Sequence, residues 1–115
     1  DGRNYQVEQV ASYRRASYEI EPDMSAACYF YAAAAVTGGR ALVKRIYSGN
    51  RQGDFRFLSV LEQMGCTVTE EKEGIAVSAP ADGRLRGIAV NMNDFSDQAL
   101  TLAAIAPFAE GEVRI

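Results

Sequence analysis

Histidine and tryptophan are absent from this chain of 115 residues. Without histidine, the commonest general base and the commonest neutral metal ligand are missing. Any acid–base chemistry must rest on carboxylates, lysines or tyrosines. Cysteine is nearly absent as well. Cys28 and Cys66 are spaced for no zinc pattern and have no histidine to complete one. They read as buried free thiols, which points to a cytoplasmic compartment. The longest apolar run, residues 24–37, falls short of the roughly 20 residues that cross a bilayer. No basic segment leads into an apolar one at the start, so no signal peptide is read there. Positive charge is not in excess: 12 Lys and Arg face 15 Asp and Glu, a net charge of −3. That balance argues against nucleic acid as a partner, though not against a local basic pocket for a phosphorylated small molecule. The phosphate-loop pattern is missing too. "GNRQGD" at 49–54 has two glycines at the wrong spacing and reads as a turn capped by Asp54.

The residues present describe an ordinary globular α/β piece. The chain is 48% hydrophobic and 23% charged, close to the soluble average and long enough for one domain. It opens at Asp1 without a methionine and closes at Ile115 inside a strand-like run. Both ends read as cuts in a larger protein.

Periodicity and turn chemistry order the elements. Tyr5–Val10 and Tyr18–Glu21 read as short strands, with a polar, basic connection at 11–17. Pro22 blocks helix at the residue before it. Asp23 or Ser25 can cap the helix that follows, which runs to about Thr37 and stops at Gly38-Gly39. A strand at 41–46 and a loop at 47–54 come next. Phe57, Leu58, Leu61 and Met64 share one face of a second helix ended by Gly65. Residues 66–80 read as two strands joined near Glu73-Gly74. A strand at 85–92, a third helix at 96–111 interrupted by Pro107, and a strand from Glu112 complete the chain. Shifting the sequence by 72 positions aligns Ala27 with Ala99, Ala32 with Ala104, Ala34 with Ala106 and Gly39 with Gly111. The shift hints at a structural repeat. The first helix is apolar nearly all round, so it should be buried on several sides.

Few residues stand out as chemical. Asp94 and Asp97 lie at a strand-to-helix junction, where anion sites and catalytic groups gather. On the residues alone the cap reading prevails for each, as it does for Asp23. Arg14-Arg15 and Lys44-Arg45 read as solvated pairs, because neighbours in a strand face opposite ways. Tyr29 and Tyr31 read as packing residues. No reaction follows from these features.

Three stretches nevertheless carry a family resemblance: "YEIEPDMSAACYFYAAAAVTGG", "QGDFRFLSVLEQMGCTV" and "NMNDFSDQALTLAAIAPFAEGEVRI". Their order and spacing resemble successive signatures of the enolpyruvylshikimate-phosphate synthases from Tyr18 onward. The departures are Met24, Ala26, Cys28 and Ser96, the last standing where proline is usual before Asp97. The resemblance implies an inside-out α/β barrel type of fold built from βαβαββ units with buried helices, of which this chain would hold one complete unit and part of the next. Residues 1–17 would close a first domain and cross over, and residues 18–115 would belong to the second. It implies transfer of the enolpyruvyl group of phosphoenolpyruvate to a hydroxyl of shikimate 3-phosphate, without metal or organic cofactor. Asp97 matches the catalytic aspartate that contacts the acceptor hydroxyl, so it is both the catalytic and the substrate-binding candidate. Asp23 matches a structural position at the crossover, and Gln52-Gly53-Asp54 would shape a loop. The basic residues for the substrates and a second catalytic carboxylate would lie outside these 115 residues, leaving the chain inactive alone and prone to self-association. The related UDP-N-acetylglucosamine enolpyruvyl transferases and a non-catalytic module of the same ancestry are the alternatives. "EPDMSAACYF" favours the shikimate enzyme.

Overall fold

A computed structural model of the chain describes residues 2, 4–14 and 16–115. The first element is helix α1, Met24–Thr37. It starts where expected. Asp23 is the N-cap, and its Oδ1 accepts from the amides of Ser25 (2.9 Å) and Ala26 (3.3 Å). Such a cap is worth about 1 kcal/mol. Gly38, at φ 72°, ends the helix. Strand β1, Arg40–Lys44, follows. A 3₁₀ turn at Gly53–Arg56 runs directly into α2, Phe57–Gln63. Strands β2, Thr67–Glu71, and β3, Gly74–Ser78, form a hairpin. Strand β4, Leu85–Ala89, leads through a 3₁₀ turn at Asn93–Gln98 to α3, Ala99–Ile105. A last turn at Ala106–Phe108 gives way to β5, Ala109–Arg114.

The strands form two sheets. One is antiparallel in the order β1-β3-β2, with Leu42 opposite Ala76 and Thr69 opposite the same residue from the other side. The other pairs β4 with β5 in parallel, Leu85 opposite Ala109 and Ile88 opposite Val113, across an irregularity between Arg86 and Ile88. A parallel pair needs a crossover, and α3 supplies it.

One core serves both sheets. Met24, Cys28 and Tyr31 of α1 meet Phe57, Leu58 and Leu61 of α2, Ile75 and Val77 of β3, and Leu102 and Ile105 of α3. The Tyr31 hydroxyl donates to the carbonyl of Ile75 at 3.0 Å inside this core. A buried bond of this kind contributes about 1 kcal/mol and would leave an orphaned acceptor if lost. The periodic residues expected on α2, Phe57, Leu58, Leu61 and Met64, are all buried.

Several expectations are corrected. Tyr5–Val10 and Tyr18–Glu21 form no strand. Tyr5 and Val7 are 88% and 91% exposed. An alternating run becomes a strand only beside a partner that takes its backbone bonds, and neither run pairs with any of the five strands. The expected βαβαββ unit therefore lacks its first strand in this chain. The third helix is short, because Pro107 removes an amide from the ladder and the chain is extended again from Ala109. Gly39 and Gly111 do not play one role: Gly39 follows the helix stop, whereas Gly111 lies inside β5. Arg14 is exposed, and the Arg15 half of that pair lies outside the described residues. Lys44 and Arg45 are solvated and form surface ion pairs with Glu73 and Glu19.

Helix α1 is covered on only part of its circumference. Tyr29 and Phe30 are 61% and 63% exposed, and Leu100 on α3 is 83% exposed. Tyr29 is thus not the packing residue its sequence context implied. Tyr29 and Leu100, with Ala33, Val36 and Ala104, border one apolar groove between the two helices.

Candidate functional site

The candidate carboxylate sits on the Asn93–Gln98 turn. The turn is not a regular helix: Phe95 has φ −150° and ψ 47°, and no side chain caps its start. The ring of Phe95 and the side chain of Gln98 point into the protein, while Asp94 and Asp97 are exposed. The two aspartates differ in what they touch. Asp94 pairs with Arg56. Asp97 makes no hydrogen bond or ion pair among the described residues, and it caps neither the turn nor α3. Asp23, Asp54 and Asp82, by contrast, are all engaged.

Asp97 stands at the mouth of a cleft of about 400 Å³ with Tyr29, Val36, Leu100 and Ala104 on its walls. Among the described residues no lysine or arginine lines it. A larger cleft of about 740 Å³ shares the same turn through Met92, Asn93 and Ser96 and includes Arg114 of β5. Arg114 is already paired with Glu112. The arrangement offers one unengaged carboxylate able to accept a proton. Among the described residues it does not offer a cluster of cations able to hold two phosphates.

A buried polar cluster underlies the turn, with no local sign of it among neighbouring residues in the chain. Asp54 is not a simple turn cap. Its Oδ2 accepts from Ser25 Oγ at 2.5 Å and from Gln98 Nε2 at 2.7 Å. Gln98 Oε1 in turn accepts from Thr101 Oγ1 at 2.9 Å. Gln52 works at the neighbouring junction. Its Oε1 accepts from the Met24 amide and its Nε2 donates to the Pro22 carbonyl and to Glu21, each near the start of α1. Gly53 lies between them, and a Cβ there would stand 2.6 Å from the carbonyl oxygen of Asp94. The Gln52-Gly53-Asp54 turn therefore joins the start of α1 to the turn that leads into α3. The only sequence signal for this is polar residues flanking a glycine, and their partners lie 28 to 44 positions away.

The Cys28 thiol sits near this cluster, 3.7 Å from the Asp54 carbonyl, and neither thiol has chemistry of its own. Burial, with Asp54 and Asp23 adding to it, pushes the Cys28 thiol up to about 12, and burial pushes Cys66 up to about 11. Both remain protonated at neutral pH and are poor nucleophiles. Both are free, as the sequence implied. Among the described residues no group of histidine, cysteine or carboxylate side chains could hold a metal ion, and no helix is long and apolar enough to cross a membrane.

Residues 1–115 match the family model described as EPSP synthase (3-phosphoshikimate 1-carboxyvinyltransferase). The 3-phosphoshikimate 1-carboxyvinyltransferase of Nostoc punctiforme is 47% identical over 111 residues, which cover 96% of this chain and 26% of that protein. That of Trichormus variabilis is 47% identical over 115 residues, covering 100% of this chain and 26% of the relative. A tobacco (Nicotiana tabacum) protein, 3-phosphoshikimate 1-carboxyvinyltransferase 2, is 46% identical over 101 residues, covering 84% and 30%. The chain thus spans about a quarter of the length of the cyanobacterial relatives.

Proposed function

The chain belongs to the EPSP synthase family, and from that membership we propose that it is part of an enzyme that transfers the enolpyruvyl group of phosphoenolpyruvate to a hydroxyl of shikimate 3-phosphate. The reaction joins the acceptor oxygen to the enol carbon and releases inorganic phosphate. The hydroxyl proton must go to a base as that bond is made. Among these 115 residues, which hold no histidine, a carboxylate is the natural acceptor. The observation that carries the reading is the unengaged state of Asp97 where the other described aspartates, Asp23, Asp54, Asp82 and Asp94, are all occupied. Asp97 is the proposed catalytic and substrate-contacting residue.

The rest of the reading follows the family. Residues 1–17 end the first domain and cross over, and residues 18–115 belong to the second. The architecture is the inside-out barrel of the enolpyruvyl transferases, in which further units cover the apolar groove of α1 and α3. The protein works in the cytoplasm on two phosphorylated small molecules. Among the described residues no cation lines the cleft at Asp97, which supports the proposal that these residues alone do not turn over.

Phosphate release tests this. The full-length protein carrying these residues is expected to release phosphate from phosphoenolpyruvate only when shikimate 3-phosphate is present, and residues 1–115 alone are expected to release none. Turnover by the 115-residue chain would mean that it holds both phosphates itself. No turnover by the full-length protein would overturn the assigned reaction.

The same chain, purified alone, is expected to self-associate through Tyr29, Phe30 and Leu100, because an apolar patch of this kind seeks cover. Sedimentation should show concentration-dependent species, and an apolar dye should light up. Exchanging Phe30 and Leu100 for serine should diminish both signals. A sharply monomeric profile with no dye response would count against it.

A further inference from the structure

We propose that Asp54 is a positioning residue for Asp97, acting through Gln98. The proposal rests on the reading of Asp97 as the group that takes the proton.

Its argument begins with the weakness of the turn. Asn93–Gln98 has an irregular backbone at Phe95 and no side-chain cap, so its own hydrogen bonds do not fix the direction of Asp97. Two contacts from the Gly53–Arg56 turn do. At one end, the backbone of Gly53 lies so close to the Asp94 carbonyl that a Cβ would stand only 2.6 Å away. At the other, Asp54 holds the amide of Gln98, the residue next to Asp97. Gln98 is 0% exposed, and its amide is held at both ends, by Asp54 and by Thr101. It cannot rotate without leaving a buried polar group unpaired. The Arg56–Asp94 pair is exposed and contributes little. Asp97 is therefore carried on a short backbone step whose far side is locked by a buried carboxylate. Such a lock matters to catalysis, because a misplacement of about 1 Å can cost about 100-fold in rate.

The carboxylate uses one oxygen for this task. Ser25 and Gln98 both donate to Oδ2, and Oδ1 has no partner among the described residues. An asparagine can offer one oxygen to both donors and turn its nitrogen to the unpartnered side. An alanine can offer neither.

Steady-state phosphate release by the full-length protein tests the assignment. Asp54→Ala is expected to lower kcat by about 10- to 100-fold with KM for each substrate changed by about twofold or less. Asp54→Asn should recover kcat to within about threefold of the parent. On an Asp97→Ala background, Asp54→Ala should lower the residual kcat by less than about twofold, because the group it positions is gone. If Asp54→Ala does not fold, Gln98→Met removes the same bond at similar volume and should show the same pattern. A folded Asp54→Ala or Gln98→Met protein with parental kcat overturns the proposal, and so does an equal loss on both backgrounds; Asp97 keeps its role in either case. A merely structural role would lower the melting temperature and leave kcat per folded molecule unchanged. Parental kcat in Asp97→Ala removes the Asp97 reading itself, and this proposal with it.

Discussion

Asp97→Asn in the full-length protein is expected to lower kcat for phosphate release by about two to four orders of magnitude. The side chain keeps its shape and loses its negative charge and its capacity to accept a proton. If Asp97 acts as the carbon–oxygen bond forms, the loss appears in kcat and kcat/KM alike, and KM moves little. Asp94→Asn is the matched control. It lies three residues away on the same exposed turn and is occupied by Arg56. Its removal should change kcat by less than about threefold, in line with the small worth of an exposed ion pair. The reverse ranking, with Asp94 essential and Asp97 dispensable, would move the proton acceptor one turn along the chain.

The second large effect is on stability. Gly74→Ala is expected to cost about 3 kcal/mol or more, against a total of about 5–15 kcal/mol for a typical domain. Gly74 opens β3, the central strand, where it pairs with Lys44 on one side and Glu71 on the other. Its φ is 152°, and a Cβ there would run into the carbonyl oxygen of Val43 and stand 2.9 Å from Lys44 Cα. Strained backbone alone costs about 1–3 kcal/mol. The clash adds to this, because it is with backbone on both counts and can be relieved only by parting β1 from β3. Gly83→Ala provides the comparison. It has φ 72° with nothing within 4 Å of a built Cβ, so only the conformational cost of about 1–2 kcal/mol applies. Urea unfolding of the two variants beside the parent separates the effects. Equal midpoint shifts would remove the steric argument.

Local chemistry made some of this fold legible in advance. Asp23 and Gly38 mark both ends of α1 by their residue types. The β2–β3 hairpin follows from alternation around a turn close to Glu73-Gly74, although the turn residues are Lys72 and Glu73 and Gly74 already belongs to β3. Burial of Phe57, Leu58, Leu61 and Met64 follows from their spacing. The failures share a cause. Alternation in Tyr5–Val10 and Tyr18–Glu21 says which side chains would share a face, and nothing about whether a neighbouring strand exists. Tyr29 and Tyr31 are two apart on one helix and indistinguishable by type, yet one reaches Ile75 and the other faces outward. The candidate carboxylate was found through a family pattern, since a lone aspartate at a junction reads as a cap. Asp54 reads as a turn cap in the sequence because its partners, Ser25 and Gln98, come from distant parts of the chain. Sequence spacing carries no information about a meeting of that kind.

The division of the strands into a set of three and a set of two bears on which parts loosen first. Strand β3 is held on both sides, so its backbone opens only when the protein itself comes apart. Strands β4 and β5 have one neighbour each among the described residues, and their outer edges can fray on their own. The turn bearing Asp97 hangs between those two looser strands. Asp54, by contrast, heads the helix that packs beneath the three-stranded sheet. One side-chain bond across that boundary lends the stiffness of the firm half to a reactive group housed in the pliant one.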